Sequence, residues 1–110
     1  MGNAIKSRIL LVEDEPALRT GTEQFLRQRG FTVVTATSGE EALEKFTGAD
    51  AIILDIMLPG MSGIEVLHRI RHTSDVPVLM LTALHDEPTQ VASFDELADD
   101  YMSKPFSLVI

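Results

Sequence analysis

Five polar residues stand where an apolar chain has just entered, or is about to leave, a core. Glu13 and Asp14 follow the run RILLV, Asp55 ends AIILD, Thr82 ends the strand in VPVLMLTA, and Lys104 follows the short strand in DDYMSKPF. Burying an unpaired charge is costly, so a carboxylate in such a place must be paired, bound to a cation, or set at the mouth of a site. A small group of hard carboxylate oxygens suits Mg²⁺, commonly held by one or two carboxylates together with waters and phosphate oxygens. A carboxylate can also be phosphorylated, giving an acyl phosphate, and a metal ion, a lysine and a hydroxyl would stabilise its charge. On this chemistry Asp55 is the candidate nucleophile and Glu13 and Asp14 the candidate metal-site acids. Lys104 and Thr82 are the candidates to meet the phosphoryl oxygens.

Such residues act together only if the fold gathers them. RILLV (Arg8 to Val12), FTVVTA, AIILD and VPVLMLTA read as buried strands, and DDYMSKPF holds a short fifth. Between them lie helical patterns. Pro16 suits a first helical position, and Leu18, Phe25 and Leu26 recur at helical spacing until Gly30. Ser38 and Glu41 form a capping-box pattern ahead of Ala42, Leu43 and Phe46. Ile64, Leu67 and Ile70 mark a third helix, and DEPTQVASFDELA a weaker fourth with Val91, Phe94 and Leu97 on one side. Alternating strands and helices without hairpin signals imply a parallel sheet covered on both faces. In such a sheet all strand carboxyl ends share one edge, so the five residues converge on the rim where open α/β sheets bind ligands.

Each residue also has a plainer reading. Glu13 and Asp14 could favour a helix N-terminus, Asp55 could cap the turn that follows it, Thr82 could be structural, and Lys104 a surface lysine. One geometry nevertheless accounts for all five.

The totals bound the rest. The chain has 110 residues, 45% apolar and 24% charged, enough for one domain. With no cysteine, a disulfide framework or thiolate metal site is excluded, which fits a reducing, cytoplasmic compartment. A net charge of −8 argues against direct binding of nucleic acid or an anionic membrane by this segment. No apolar run approaches the roughly 20 residues of a membrane span.

ILLVEDEP, ILDIMLPGMSG, PVLMLTA and ADDYMSKPF, in this order and at these separations, resemble the receiver domain of bacterial two-component response regulators along essentially the whole chain. The resemblance implies a flavodoxin-like, doubly wound parallel five-stranded sheet of order 2-1-3-4-5 over residues 1–110. It implies that Asp55 is the phosphoacceptor for a sensor histidine kinase, with Mg²⁺ (or Mn²⁺) bound by Asp14, Glu13 through water, Asp55, and the backbone carbonyl of Met57. Lys104 matches the lysine that bonds the phosphoryl group, Thr82 the switch hydroxyl, Ala83 the small residue beside it, and Tyr101 the aromatic switch. Met57 and Leu84 occupy positions that tune dephosphorylation. Both are apolar and lack a group to position water, so self-dephosphorylation is expected to take on the order of many minutes or longer.

Two departures carry expectations of their own. Leu97 stands where relatives usually have Gly, and in a left-handed conformation it would cost about 1 kcal/mol or more. The last helix is expected to be missing or truncated, leaving apolar surface exposed and favouring lowered stability, self-association or a homodimer. The effector domain, of a DNA-binding winged-helix type by analogy, would lie beyond this chain. Alternatives stay open: an interaction module that is never phosphorylated, or a Mg²⁺-dependent phosphohydrolase. The latter usually carries a second Asp two residues after the nucleophile, where this chain has Met57. His68 and His72, four apart on a helix, read as solvent-exposed surface, and His85 receives no role.

Overall fold

The computed structural model describes the backbone of residues 7–83 and 100–104, and the side chains of residues 7–81. The expectations for residues 84–99, including the fourth helix, Leu84, His85 and Leu97, lie outside the described residues, as do those for 105–110.

Five strands form one sheet: β1 (Arg8–Val12), β2 (Thr32–Ala36), β3 (Ala51–Asp55), β4 (Val78–Ala83) and β5 (Asp100–Lys104). All pair in parallel, as the alternation of strands and helices implies, and in the order β2-β1-β3-β4-β5 that the family resemblance implies. β1 and β3 are adjacent, with β2 outside one and β4 outside the other. The chain therefore reverses its winding direction at the β1–β3 pair, and there a crevice opens at the carboxyl ends. Glu13, Asp14 and Asp55 stand at that point.

Three helices are described: α1 (Pro16–Gln28), α2 (Gly39–Lys45) and α3 (Gly63–Arg71). Pro16 lies in the first turn of α1, where its missing N–H is no loss. The Ser38 hydroxyl accepts from Glu41 N–H at the start of α2, as expected, but the Glu41 carboxylate reaches one residue further back, to Thr37 N–H at 2.8 Å. SGIE (Ser62–Glu65) holds the same pattern at the start of α3, where Ser62 Oγ accepts from Glu65 N–H at 3.2 Å.

The two faces of the sheet are unequal. Leu10, Val12, Ile52, Leu54, Val78 and Met80 face a core shared with Ala42 of α2 and with Val66, Leu67 and Ile70 of α3. On the other face Ile9, Leu11 and Val33 pack with Leu26 of α1, joined by the half-buried Phe25, Phe31 and Ile53. Beside them a groove of about 260 Å³ runs along the amino ends of β1, β3 and β4, lined by Ile9, Ile53, Pro77 and Leu79 among others.

Candidate functional site

The acid pair is set by the way β1 ends. Val12 is fully buried, and Glu13 N–H still donates to Ala36 O at 3.0 Å, so pairing with β2 runs one residue past the strand. This draws the Glu13 carboxylate inside: the residue is 1% exposed, and its Oε2 accepts Glu15 N–H at 3.1 Å. Asp14, one residue on, is exposed. Neither is the N-cap of α1. That position falls to Glu15, which makes no side-chain cap hydrogen bond, so helix capping does not account for the pair. From α1, Arg19 Nη1 donates to the carbonyls of both Glu13 and Asp14, at 3.0 and 3.2 Å.

The lone acid is set by backbone packing. Asp55 is the last residue of β3, in register with Leu81 of β4, and is 2% exposed. Ile56 N–H donates to Leu81 O at 3.0 Å, and Gly63 N–H donates back to Ile56 O at 2.9 Å. The α3 backbone is so close that a Cβ on Gly63 would lie 2.8 Å from Ile56 Cα and closer still to Asp55 O. Asp55 Oδ1 accepts Met57 N–H at 3.0 Å, so the turn-capping reading also holds. The same contact fixes the carboxylate at the crevice. Among the described residues Met57 is the large hydrophobic left outside, 65% exposed.

The two loops meet. One carboxylate oxygen each from Glu13, Asp14 and Asp55 lies within 4.8 Å of the other two. Three carboxylates this close repel one another unless a cation is shared, and their oxygens are the hard donors that a small divalent cation takes. The donor set therefore fits Mg²⁺.

Thr82 and Ala83 follow Leu81 in β4, and Ala83 pairs with Lys104, so both strand ends reach the same rim at the backbone level. Tyr101 pairs with Met80, further back along the sheet. The side-chain roles expected for Thr82, Ala83, Tyr101 and Lys104 lie outside the described residues. His68 and His72 are exposed on or next to α3, as expected, and are not members of the acidic group.

Residues 9–109 match the response regulator receiver domain. The chain belongs to that family. Response regulator RR06 of Streptococcus pneumoniae is 46% identical over 104 residues, covering 93% of this receiver domain chain and 48% of the relative. Regulatory protein VanRB of Enterococcus faecalis is 46% identical over 105 residues, covering 94% and 48%. The receiver chain thus spans about half the length of the curated relatives it matches. Among solved structures, response regulator TrrA of Thermotoga maritima, in complex with Mg²⁺-BeF, is 40% identical with a TM-score of 0.83, covering 94% of this chain and 90% of its own. A response regulator from Chloroflexus aurantiacus is 38% identical with a TM-score of 0.85, covering 94% and 89%.

Two residues of the site were not singled out from sequence. They are Arg19 and Gly63. The signal for Gly63 is its position directly after Ser62 in a capping pattern, where a helix starts against the strand end it has just left.

Proposed function

We propose that this receiver domain is a phosphoacceptor switch in which Asp55 takes a phosphoryl group from the phosphohistidine of a sensor histidine kinase. The observation that carries the reading is the meeting of Glu13, Asp14 and Asp55 at the β1–β3 crevice, each offering an oxygen within 4.8 Å of the others. Asp14, Glu13 through water, Asp55 and the Met57 carbonyl would hold Mg²⁺. When bound, the ion would supply charge to offset the developing negative charge on the phosphoryl oxygens.

The chain's own part is position and electrostatics. The Gly63 contact and the Met57 N–H hold the Asp55 carboxylate at the rim. A carboxylate oxygen attacks phosphorus, the P–N bond breaks with its electron pair left on nitrogen, and the donor imidazole, already protonated on its other ring nitrogen, leaves neutral. Lys104 and Thr82, carried to this rim by β5 and β4, would then bond the phosphoryl oxygens. The added charge of about −1.5 to −2 would draw in Thr82, with Ala83 leaving it room and Tyr101 following. Met57 and Leu84, lacking a group to position water, make the phosphoryl group long-lived. With no second Asp at position 57, turnover of outside substrates is not part of this reading. Residues 1–110 serve as the receiver of a longer regulator, which the lengths of the relatives support, and a DNA-binding effector domain is the reading by analogy.

Intact-mass spectrometry after incubation with a small acyl phosphate tests the reading. A Mg²⁺-dependent gain of one phosphoryl group, absent in Asp55→Asn, is expected. A folded, Mg²⁺-binding chain that gains none would favour an interaction module instead.

A further inference from the structure

We infer that Arg19 is a positioning residue for the metal-binding acids, a reading that rests on the proposed Mg²⁺-dependent phosphoacceptor function. The start of α1 breaks local rules. Its N-cap Glu15 makes no side-chain cap hydrogen bond, and its first turn holds no acid. Arg19 follows just after that first turn, near the positive end of the helix dipole, where a cation is unfavourable. Local rules are most often broken where function requires it.

The compensation lies in where the guanidinium goes. Arg19 is half-buried, and one nitrogen, Nη1, donates to two successive carbonyls, Glu13 O at 3.0 Å and Asp14 O at 3.2 Å. In an extended strand successive carbonyls point in opposite directions, so one donor reaches both only if the chain bends between them. Arg19 thereby pins the bend that follows β1. Glu15 N–H pins the same loop from the other side through Glu13 Oε2. Between these ties the Glu13 carboxylate is held inside and Asp14 is presented at the crevice.

The guanidinium also brings a positive charge to a loop carrying two of three mutually repelling carboxylates. Arg19 touches neither the acceptor nor the metal donors' carboxylates in any hydrogen bond described here, so it acts through the backbone that carries them. Groups that orient metal ligands typically change metal affinity about 10- to 100-fold when removed.

The test is Mg²⁺ affinity of the full 110-residue chain, measured by competition with Mn²⁺ followed by electron paramagnetic resonance, for the unaltered chain, Arg19→Ala, Arg19→Lys and Asp14→Asn. Phosphorylation by a small acyl phosphate at saturating Mg²⁺ is measured beside it. Arg19→Ala is expected to weaken Mg²⁺ binding on the order of 10-fold. Arg19→Lys should recover part of that loss, and the rate at saturating Mg²⁺ should change far less than the affinity. A purely structural arginine would lower the unfolding midpoint and leave the Mg²⁺ affinity of the folded chain unchanged; that result overturns the inference. If Arg19→Ala does not fold, Arg19→Lys decides, because an affinity equal to that of the unaltered chain overturns the inference and a weakened one supports it. Mg²⁺ binding lost in Asp14→Asn but unaltered in both Arg19 variants would sink the role of Arg19 alone. No Mg²⁺ binding by the unaltered chain would sink the reading beneath it as well.

Discussion

The loops after β1 and β3 each deliver carboxylates to the same crevice, and each carries an N–H-to-carboxylate bond two residues on, but they differ in what else holds them. The β3 loop is held by backbone: Asp55 is 2% exposed, and the α3 start leaves no space for a Cβ at Gly63. The β1 loop is held by side-chain hydrogen bonds, from Arg19 to two carbonyls and from Glu15 N–H to Glu13 Oε2, and it leaves Asp14 exposed. A nucleophile gains from rigid placement, because small misplacements cost rate. A metal ligand that must bind and release an ion in water can tolerate a looser mount. The close packing at Gly63 thus supports the acceptor, and the Arg19 hydrogen bonds support the two acids that would serve the metal alone.

Substitutions can break that contrast, beginning with the largest expected effect. Gly63→Ala forces a methyl group against the backbone of Asp55 and Ile56, and should lower stability by about 3 kcal/mol, the upper part of the overpacking range. Urea unfolding would read it, and loss of phosphorylation should accompany it even where the chain stays folded. A stability change below about 0.5 kcal/mol would show that the close approach is easily relaxed and that the β3 loop is no more rigid than the β1 loop. Asp14→Asn, by contrast, should leave the urea midpoint within about 0.5 kcal/mol of the unaltered chain, as befits an exposed group, while abolishing measurable Mg²⁺ affinity.

Smaller effects sharpen the contrast. Ser62→Ala removes the hydroxyl that caps α3 directly behind the acceptor loop, and should cost about 1 kcal/mol. Ser38→Ala, at the equivalent place on α2, should cost a similar amount. The α3 change should slow phosphorylation more than the α2 change, since α3 starts against the backbone of Asp55. The smallest effect concerns pH. The Lys45 ammonium, with Thr37 N–H after it, holds the Glu41 carboxyl down at about 2. A lowered carboxyl stabilises the fold above its unfolded value near 4.5 and loses that contribution as pH falls from there toward about 2. Glu41→Gln should therefore flatten the stability profile across that window without altering Mg²⁺ binding at pH 7. Because the Lys45–Glu41 pair is at the surface, the change should be small.

The strands and their parallel pairing were legible because short apolar runs alternate with helical patterns without hairpin signals, whereas their order came from the family resemblance. Asp55 was legible as an anomaly at the end of such a run, and Glu13 and Asp14 likewise. The helix stripes are legible in part: the marked Leu26, Leu67 and Ile70 are buried, and Thr22 and Val66 are buried beside them without having been marked, because a buried face is wider than the residues that announce it. Arg19 carried no such signal. Its bonds go to carbonyls, which every residue has, so nothing in the pattern of side chains marks them. Gly63 was visible as a glycine, but the backbone it approaches is brought there by the fold.

The most direct measurement is to phosphorylate the chain with Mg²⁺ and a small acyl phosphate, reduce it with borohydride, and sequence the peptides by mass spectrometry. Reduction turns an aspartyl phosphate into homoserine, which marks the acceptor. The account predicts homoserine at position 55 and nowhere else, and only when Mg²⁺ was present. Homoserine at Asp14, or none in a folded chain that binds Mg²⁺, would contradict it.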